Sequence, residues 1–245
     1  MALNSIAPSM PARVWLVIPT YNESANVEAI VEAALEALPP SRRILIVDDS
    51  SPDGTGEIAD RLAGAHEDVA ALHRPVKAGL GPAYVAGFRE ALDGGAELVA
   101  QMDADFSHDP HDLPRLLEAA EHADLVLGSR YVRGGGVTDW GAGRRAVSRW
   151  GSAYARAALG IDVQDLTGGF KVFRRRVLEA IDLESLASLG YAFQVETTFR
   201  AVKAGFRVVE VPIVFQDRRV GESKMTGAIV LEAAWRVPTM RLRGR

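Results

Sequence analysis

The chain has no cysteine. That absence excludes disulfides, zinc–thiolate sites, iron–sulfur clusters and thiol nucleophiles. Histidine is scarce too, with five scattered through 245 residues, which argues against a histidine-based zinc site. No stretch approaches the roughly 18–20 apolar residues that span a bilayer. The opening MALNSIAPSMPARVW has no basic start followed by an apolar run, so no secretory signal is expected and the chain is placed in the cytoplasm. Apolar material is ample: 48% hydrophobic against 24% charged residues rules out disorder as the main state.

The formal net charge of −4 hides an uneven distribution. Residues 1–129 carry 8 Lys and Arg against 21 Asp and Glu, whereas residues 130–245 carry 20 against 11. A basic half on an acidic protein points to an anionic partner: phosphate, nucleic acid or a lipid headgroup. The last ten residues hold four arginines and no acid. With no aromatic interleaving and no nucleic-acid reader motif, phosphate or membrane ranks above nucleic acid.

Strand and helix signals alternate through the first half. Short apolar runs at 14–18, 44–47, 69–72, 98–102 and 125–127 read as strands, with helices near 27–38, 57–62, 82–92 and 113–120. Ser24 is the expected N-cap of the first helix, and Pro39-Pro40 ends it. This alternation predicts an α/β fold with a mostly parallel sheet flanked by helices, whose ligands sit at the carboxyl ends of the strands. In the second half, helices are expected at 144–159, 193–204 and 228–237, and strands at 169–173 and 207–211. No linker divides the chain, so a single domain is expected, with residues 206–245 as a C-terminal elaboration.

Three of the expected strands end in polar clusters: Thr20-Tyr21-Asn22-Glu23, Asp48-Asp49-Ser50-Ser51-Pro52-Asp53, and Asp103-Ala104-Asp105 followed by Phe106-Ser107-His108. A single Asp there is a turn former. Several carboxylates at one sheet edge repel one another unless a cation sits among them, and oxygen ligands favour Mg²⁺ or Mn²⁺ completed by substrate phosphates. The G-x-G-x-x-A pattern at Gly54, Gly56 and Ala59 follows acids and a proline rather than a strand, which argues against a dinucleotide. Lys77, Gly79 and Gly81 precede a helix, so backbone N–H groups and the lysine are expected either to cradle phosphate or to form a plain loop. Arg174-Arg175-Arg176 reads as a solvated face, and Trp235 as core packing.

The blocks VWLVIPTYNE, ILIVDDSSPDGT, KAGLGPAY, MDADFSHDP, GSRYVRGGG, DLTGGFKVF, GYAFQVE and FQDRRVGESK occur in this order. Together, over roughly residues 13–227, they resemble the dolichol-phosphate mannose synthase family of inverting, GT-A fold, family-2 glycosyltransferases. The first two blocks and the D-x-D are common to many nucleotide-sugar transferases; the GSRY, TGGFK and D-R-x-x-G-x-S-K blocks are narrower.

The resemblance implies a role for each matching position. Pro19, Tyr21, Glu23 and Asp48 hold the nucleoside, with Asp49 beside them and Lys77 and Gly79 nearby. Asp103, Ala104 and Asp105 form the D-x-D that binds Mg²⁺ or Mn²⁺ on the diphosphate. Ser107 stands where some members have a metal-binding glutamine, a stronger ligand than a hydroxyl. Arg130 and one of Arg144 or Arg145 grip the acceptor phosphate, while Arg218 and Lys224 contact donor or acceptor phosphates. Asp165, Gln194 and Glu196 lie near the sugar. The implied reaction moves mannose from GDP-mannose to a polyprenyl monophosphate at the inner face of the membrane. Contact with that membrane comes from an amphipathic element around 228–243 or from a partner membrane protein. The alternatives are a UDP-glucose or UDP-N-acetylglucosamine donor, a non-lipid acceptor, or a non-catalytic nucleotide-binding scaffold.

Overall fold

The computed structural model describes residues 13–138, 140–186, 191–216 and 237–241. Strand β1 (Val14–Thr20) lies inside the sheet because VWLVIPT is apolar at nearly every position, as suits a strand covered on both faces. It pairs in parallel with β2 (Arg42–Asp48) on one side and β4 (Leu98–Gln101) on the other. Strand β3 (Val69–His73) continues the parallel run beyond β2. Past β4 the order leaves the chain sequence. Strand β7 (Lys171–Arg174) runs antiparallel between β4 and β5 (Leu125–Ser129), and β8 (Val208–Pro212) pairs in parallel with β5 at the far edge. The full order is β3-β2-β1-β4-β7-β5-β8. A small parallel pair, β6 (Gly136–Val137) with β9 (Val214–Phe215), stands apart.

The helices are α1 (Val27–Ala37), α2 (Thr55–Ala65), α3 (Leu80–Asp93), α4 (Leu113–Ala119), α5 (Ala142–Leu159), α6 (Arg175–Ala180) and α7 (Tyr191–Lys203), with 3-10 turns at Pro110–Asp112 and Leu183–Ser185 and a helical turn at 237–241. The alternation of β1 feeds two cores. Val17 joins Leu45, Tyr84, Phe88, Phe173 and Phe193 on one face, and Leu16 and Ile18 join Ile30, Val31, Ile46, Leu116 and Val172 on the other. The expected mostly parallel sheet between helices is therefore present, with β7 as its one reversed strand.

That reversal positions the site. An antiparallel strand begins at the edge where parallel strands end, so the approach to β7, residues 165–170, arrives beside the carboxyl ends of β4 and β5. Two local expectations change. Asn26, not Ser24, precedes α1, and its side chain donates to Glu23 instead of capping the helix; the Ser24 N–H is donated to Asp53. Within the 206–245 segment, residues 208–212 form β8 of the main sheet, while 217–236, with the expected helix at 228–237 and Trp235, and 242–245 lie outside the described residues. Residues 174–176 are pinned rather than simply solvated. Arg174 donates to the carbonyls of Glu121 and Ala123, Arg175 to that of Leu92, and Arg176 to Asp124. Among the described residues, no helix is long and apolar enough to cross a membrane.

Candidate active site

The carboxyl ends of β1, β2 and β4 lie side by side and carry the three polar clusters. Each following loop contains one non-glycine residue in left-handed backbone: Asn22 (φ 56°), Ser50 (φ 62°) and Phe106 (φ 60°). For a residue as bulky as Phe this is a costly conformation, and such strain gathers where a loop must present its groups in one arrangement.

At the β1–β2 end, Thr20 stands opposite Asp48 and donates to its Oδ1, while the Ser51 N–H donates to Oδ2. Glu23 accepts from Asn26, and its own N–H reaches the Thr55 hydroxyl. Lys77 Nζ lies 3.7 Å from the centroid of the Tyr21 ring. Pro19 is buried at the strand end. Asp53 accepts from Ser24 N and Thr55 N at the start of α2. Burial pulls its carboxyl upward, but the hydrogen bonds from Thr55 and Ser24 outweigh that and lower it to about 2. A protein carboxylate thus occupies the end of α2 that a pyrophosphate would need.

The loop before α3 turns toward Asp49. The Asp49 carboxylate pairs with Arg74 at 2.5 Å and accepts the backbone N–H groups of Ala78 (3.1 Å) and Gly79 (2.7 Å). The donors offered as a phosphate cradle therefore point at a residue of the protein itself. Gly79 has φ 96°, which suits glycine, and lets the chain turn its N–H back to Asp49 before entering α3.

The D-x-D follows β4. Tyr84, fully buried on α3, donates its hydroxyl to Asp103 Oδ1 at 3.0 Å. Burial, then the Asp103 charge, pushes the Tyr84 phenol well above its ordinary value, so it stays a donor. The Asp103 N–H points at His108 Nδ1 (3.4 Å), and the His108 ring stacks on Phe170 and meets Phe215 edge-on. Burial lowers the His108 pKa, which keeps the ring neutral with its proton on Nε2. The Ser107 N–H donates to Asp105 Oδ1 at 3.0 Å, so Ser107 reaches the D-x-D through its backbone. Ala104, between the acids, is buried.

Gly169 completes this pocket. A Cβ there would lie 3.3 Å from Asp103 Oδ2, 3.4 Å from His108 Cε1 and 3.5 Å from Gln194 Nε2. The missing side chain leaves room where a carboxylate, a ring and an amide converge. Gln101 donates to the Gly169 carbonyl and to Gln194 Oε1, both at 2.7 Å, which leaves Gln194 Nε2 buried without a partner. Gln194 and Glu196, two positions apart on α7, point about 160° apart, and Glu196 is bound to Arg200. Glu196 Oε2 is buried and unpartnered. Beneath Gln194, the fully buried Lys171 donates to the Gln194 carbonyl and to Thr197, and burial lowers its pKa to about 7.

At the end of β5, Arg130 makes a two-pronged bond to Asp165, Nε to Oδ2 and Nη2 to Oδ1, both 2.7 Å. Thr167 accepts from Nη2, and Asp165 also takes the Arg130 N–H. The side chains are 5% and 0% exposed, and the Tyr131, Trp140 and Phe215 rings surround the guanidinium at 5.2–5.8 Å. Two residues assigned by resemblance to different ligands, acceptor phosphate and sugar, thus form one buried unit. Arg145 is exposed in the first turn of α5; Arg144 lies in the same turn, and Arg218 and Lys224 lie outside the described residues.

Crowding of carboxylates is no longer the argument for a cation, because Asp49 and Asp165 have their own arginines and Asp48 its own donors. The candidate ligands are Asp103 and Asp105, the two acids of the D-x-D at the end of β4. Among the described residues, no group of three or more His, Asp or Glu forms a metal cage. Two carboxylates beside a cradle that a Cβ would fill fit a hard divalent ion whose remaining ligands are diphosphate oxygens and water, while the unpartnered Gln194 Nε2, a donor, suits an oxygen of the substrate and not the ion. Sequence reasoning missed Tyr84, Gln101 and Lys171. Each was a polar residue inside an apolar pattern, the one available signal that a buried group needs a partner.

A parallel sheet with acids at three strand ends, a D-x-D and a buried arginine at the same edge defines a nucleotide-sugar transferase of the GT-A fold. Residues 15–182 match the family described as Glycosyl transferase family 2, and the chain belongs to it. It is 48% identical over 233 residues to an undecaprenyl-phosphate mannosyltransferase of Micrococcus luteus, covering 95% of this chain and 96% of that protein. It is also 48% identical over 235 residues to a polyprenol monophosphomannose synthase of Mycolicibacterium smegmatis, covering 95% and 88%. In fold it is similar to glucosyl-3-phosphoglycerate synthase from Mycobacterium tuberculosis, solved with Mn²⁺ and UDP (TM-score 0.67, 18% identity, 96% of this chain and 80% of that one). The same neighbour has been solved with Mg²⁺ and UDP.

Proposed function

We propose that this glycosyltransferase moves mannose from GDP-mannose to a polyprenyl monophosphate at the cytoplasmic face of the membrane, giving polyprenyl-phosphate mannose and GDP. The reading is carried by the near full-length likeness, at 48% identity, to two polyprenyl-phosphate mannosyltransferases. Pro19, Tyr21, Glu23 and Asp48 receive the nucleoside at the β1–β2 end. Asp103 and Asp105 would hold Mg²⁺ or Mn²⁺, which would supply positive charge to offset the negative charge developing on the diphosphate leaving group. Tyr84 and Ser107 orient the two acids. Gln194 Nε2 is the donor available to the sugar.

The acceptor brings its own nucleophile. A lipid phosphate is already largely ionised at neutral pH, its second pKa being about 6, so no protein base need remove a proton. One of its oxygens attacks the anomeric carbon from the face opposite the diphosphate. The old C–O bond breaks as the new one forms, and the configuration inverts. Arg144 or Arg145 receives the acceptor phosphate, because a planar guanidinium matches two phosphate oxygens at once, and Arg130, whose fork is taken by Asp165, adds positive charge beside it. Arg218 and Lys224 contribute further cationic contacts.

The test is transfer of label from GDP-mannose into an organic-soluble prenyl phosphate product with Mg²⁺ or Mn²⁺. EDTA, and Asp105→Ala, are expected to abolish it. Label arriving only from a UDP-sugar would keep the chemistry and replace the donor. Nucleotide binding without any transfer, in folded protein given a membrane, would return the chain to a scaffold.

A further inference from the structure

Helix α5 has an outer face that the reaction does not use. Its inner face is fixed by spacing: Ser152, Ala155 and Leu159 are buried, and Ser148 Oγ accepts from the Tyr131 hydroxyl at 2.6 Å. Roughly opposite, Val147, Trp150 and Tyr154 recur at i, i+3 and i+7, so they share one stripe. They are 55%, 75% and 44% exposed, three of the five large hydrophobic side chains among the described residues that stand out this far. A helix facing only water has no reason to place a tryptophan there.

The charge of α5 is equally one-sided. Its eighteen residues contain four arginines and no acid. Arg149, beside Trp150, sits over the Tyr131 ring at 5.9 Å, and Tyr131 follows Arg130 directly. A groove of about 360 Å³ lined by Tyr131, Arg149, Trp150 and Arg156 opens between the helix and that residue. The exposed stripe is therefore continuous with the acceptor end of the site.

We infer that α5 docks flat on an anionic bilayer, with Val147, Trp150 and Tyr154 in the interface between headgroups and acyl chains. Trp and Tyr suit that boundary because their rings are apolar with one polar atom, and arginine stems lie along it while their heads pair with lipid phosphate. This places a membrane contact on a described helix, beside any made by the segment around 228–243, of which only 237–241 is described. It deepens the proposed function, since it sets the arginine at the end of β5 beside the plane from which a prenyl phosphate projects. A protein partner or a second copy would need no such excess of arginine; the charge favours lipid.

The test uses the full chain and vesicles of phosphatidylcholine with or without phosphatidylglycerol. Because the chain has no cysteine, Tyr154→Cys takes a single polarity-sensitive dye, and Glu57→Cys on α2 serves as the control position. Flotation with anionic vesicles is expected, with a blue shift at position 154 and none at 57. Val147→Glu with Trp150→Glu is expected to weaken vesicle binding by about tenfold or more, with an unchanged melting temperature and unchanged transfer to a short-chain, water-soluble prenyl phosphate. Full vesicle binding by the double variant overturns the inference. So does a dye at 154 that stays in water while the protein floats, or a concentration-dependent dimer that hides the stripe without any lipid binding. Failure of transfer to every prenyl phosphate would instead refute the proposed function and leave the vesicle result standing.

Discussion

Removing Asp165 tests the account of Arg130 most sharply. The two side chains are 5% and 0% exposed, so water screens neither. Burial alone would raise the Asp165 carboxyl, but Arg130 and its hydrogen bonds overcome this and hold it below the ordinary carboxylate range. Asp165→Asn leaves a guanidinium buried among Tyr131, Trp140 and Phe215 without its counter-charge. Stranding one partner of such a pair costs about 3–5 kcal/mol. At about 2–4 °C per kcal/mol for a chain of this size, the melting temperature should fall by roughly 6–20 °C. The folded pKa lies below the unfolded one, so the pair's stabilisation is complete above about pH 4 and is lost as pH falls through the folded value. The gap between wild type and variant in urea denaturation should accordingly be constant from pH 5 to 8 and shrink in acid. Replacing both residues together, Arg130→Met with Asp165→Leu, should restore much of the stability and none of the transfer. A single variant within 1 kcal/mol of wild type would refute the reasoning.

Other outcomes follow from the same geometry. Tyr84→Phe keeps the packing and removes one donor from Asp103; stability should drop by about 1–2 kcal/mol and the metal concentration for half-maximal transfer should rise several-fold, read from a Mn²⁺ titration. Gly169→Ala puts a methyl 3.3 Å from Asp103 Oδ2, so transfer should fall by about tenfold or more while circular dichroism stays native. Lys171, lowered to about 7 by burial, binds fewer protons folded than unfolded, so its presence makes stability rise with pH from about 7 toward 10. Between pH 7 and 9 that contribution is about 2–3 kcal/mol, and Lys171→Met should flatten it; equal slopes for the two proteins would contradict a buried neutralising lysine.

The alternation of apolar runs with amphipathic helices already contained the parallel sheet, since β1, β2 and β4 are too apolar to be covered on one face only. The same runs placed Asp48, Asp103 and Asp105 at strand ends, and strand ends are where such sheets bind ligands. Local pattern reached that far because burial and turn chemistry are properties of a few neighbouring residues. It could not show which charges cancel. Asp49 meets Arg74 and the Gly79 N–H, and Asp165 meets Arg130, across 25 to 35 residues of chain. Nor could it show that β7 runs backwards, which alone brings Gly169 to Asp103 and Gln194. The sequence by itself determined the fold class, the D-x-D and the basic second half, because each is written in adjacent residues. Only the tertiary structure decided which acids are paired with arginine, which arginine is buried, and which face of α5 stays exposed, because those depend on partners that burial selects from distant parts of the chain.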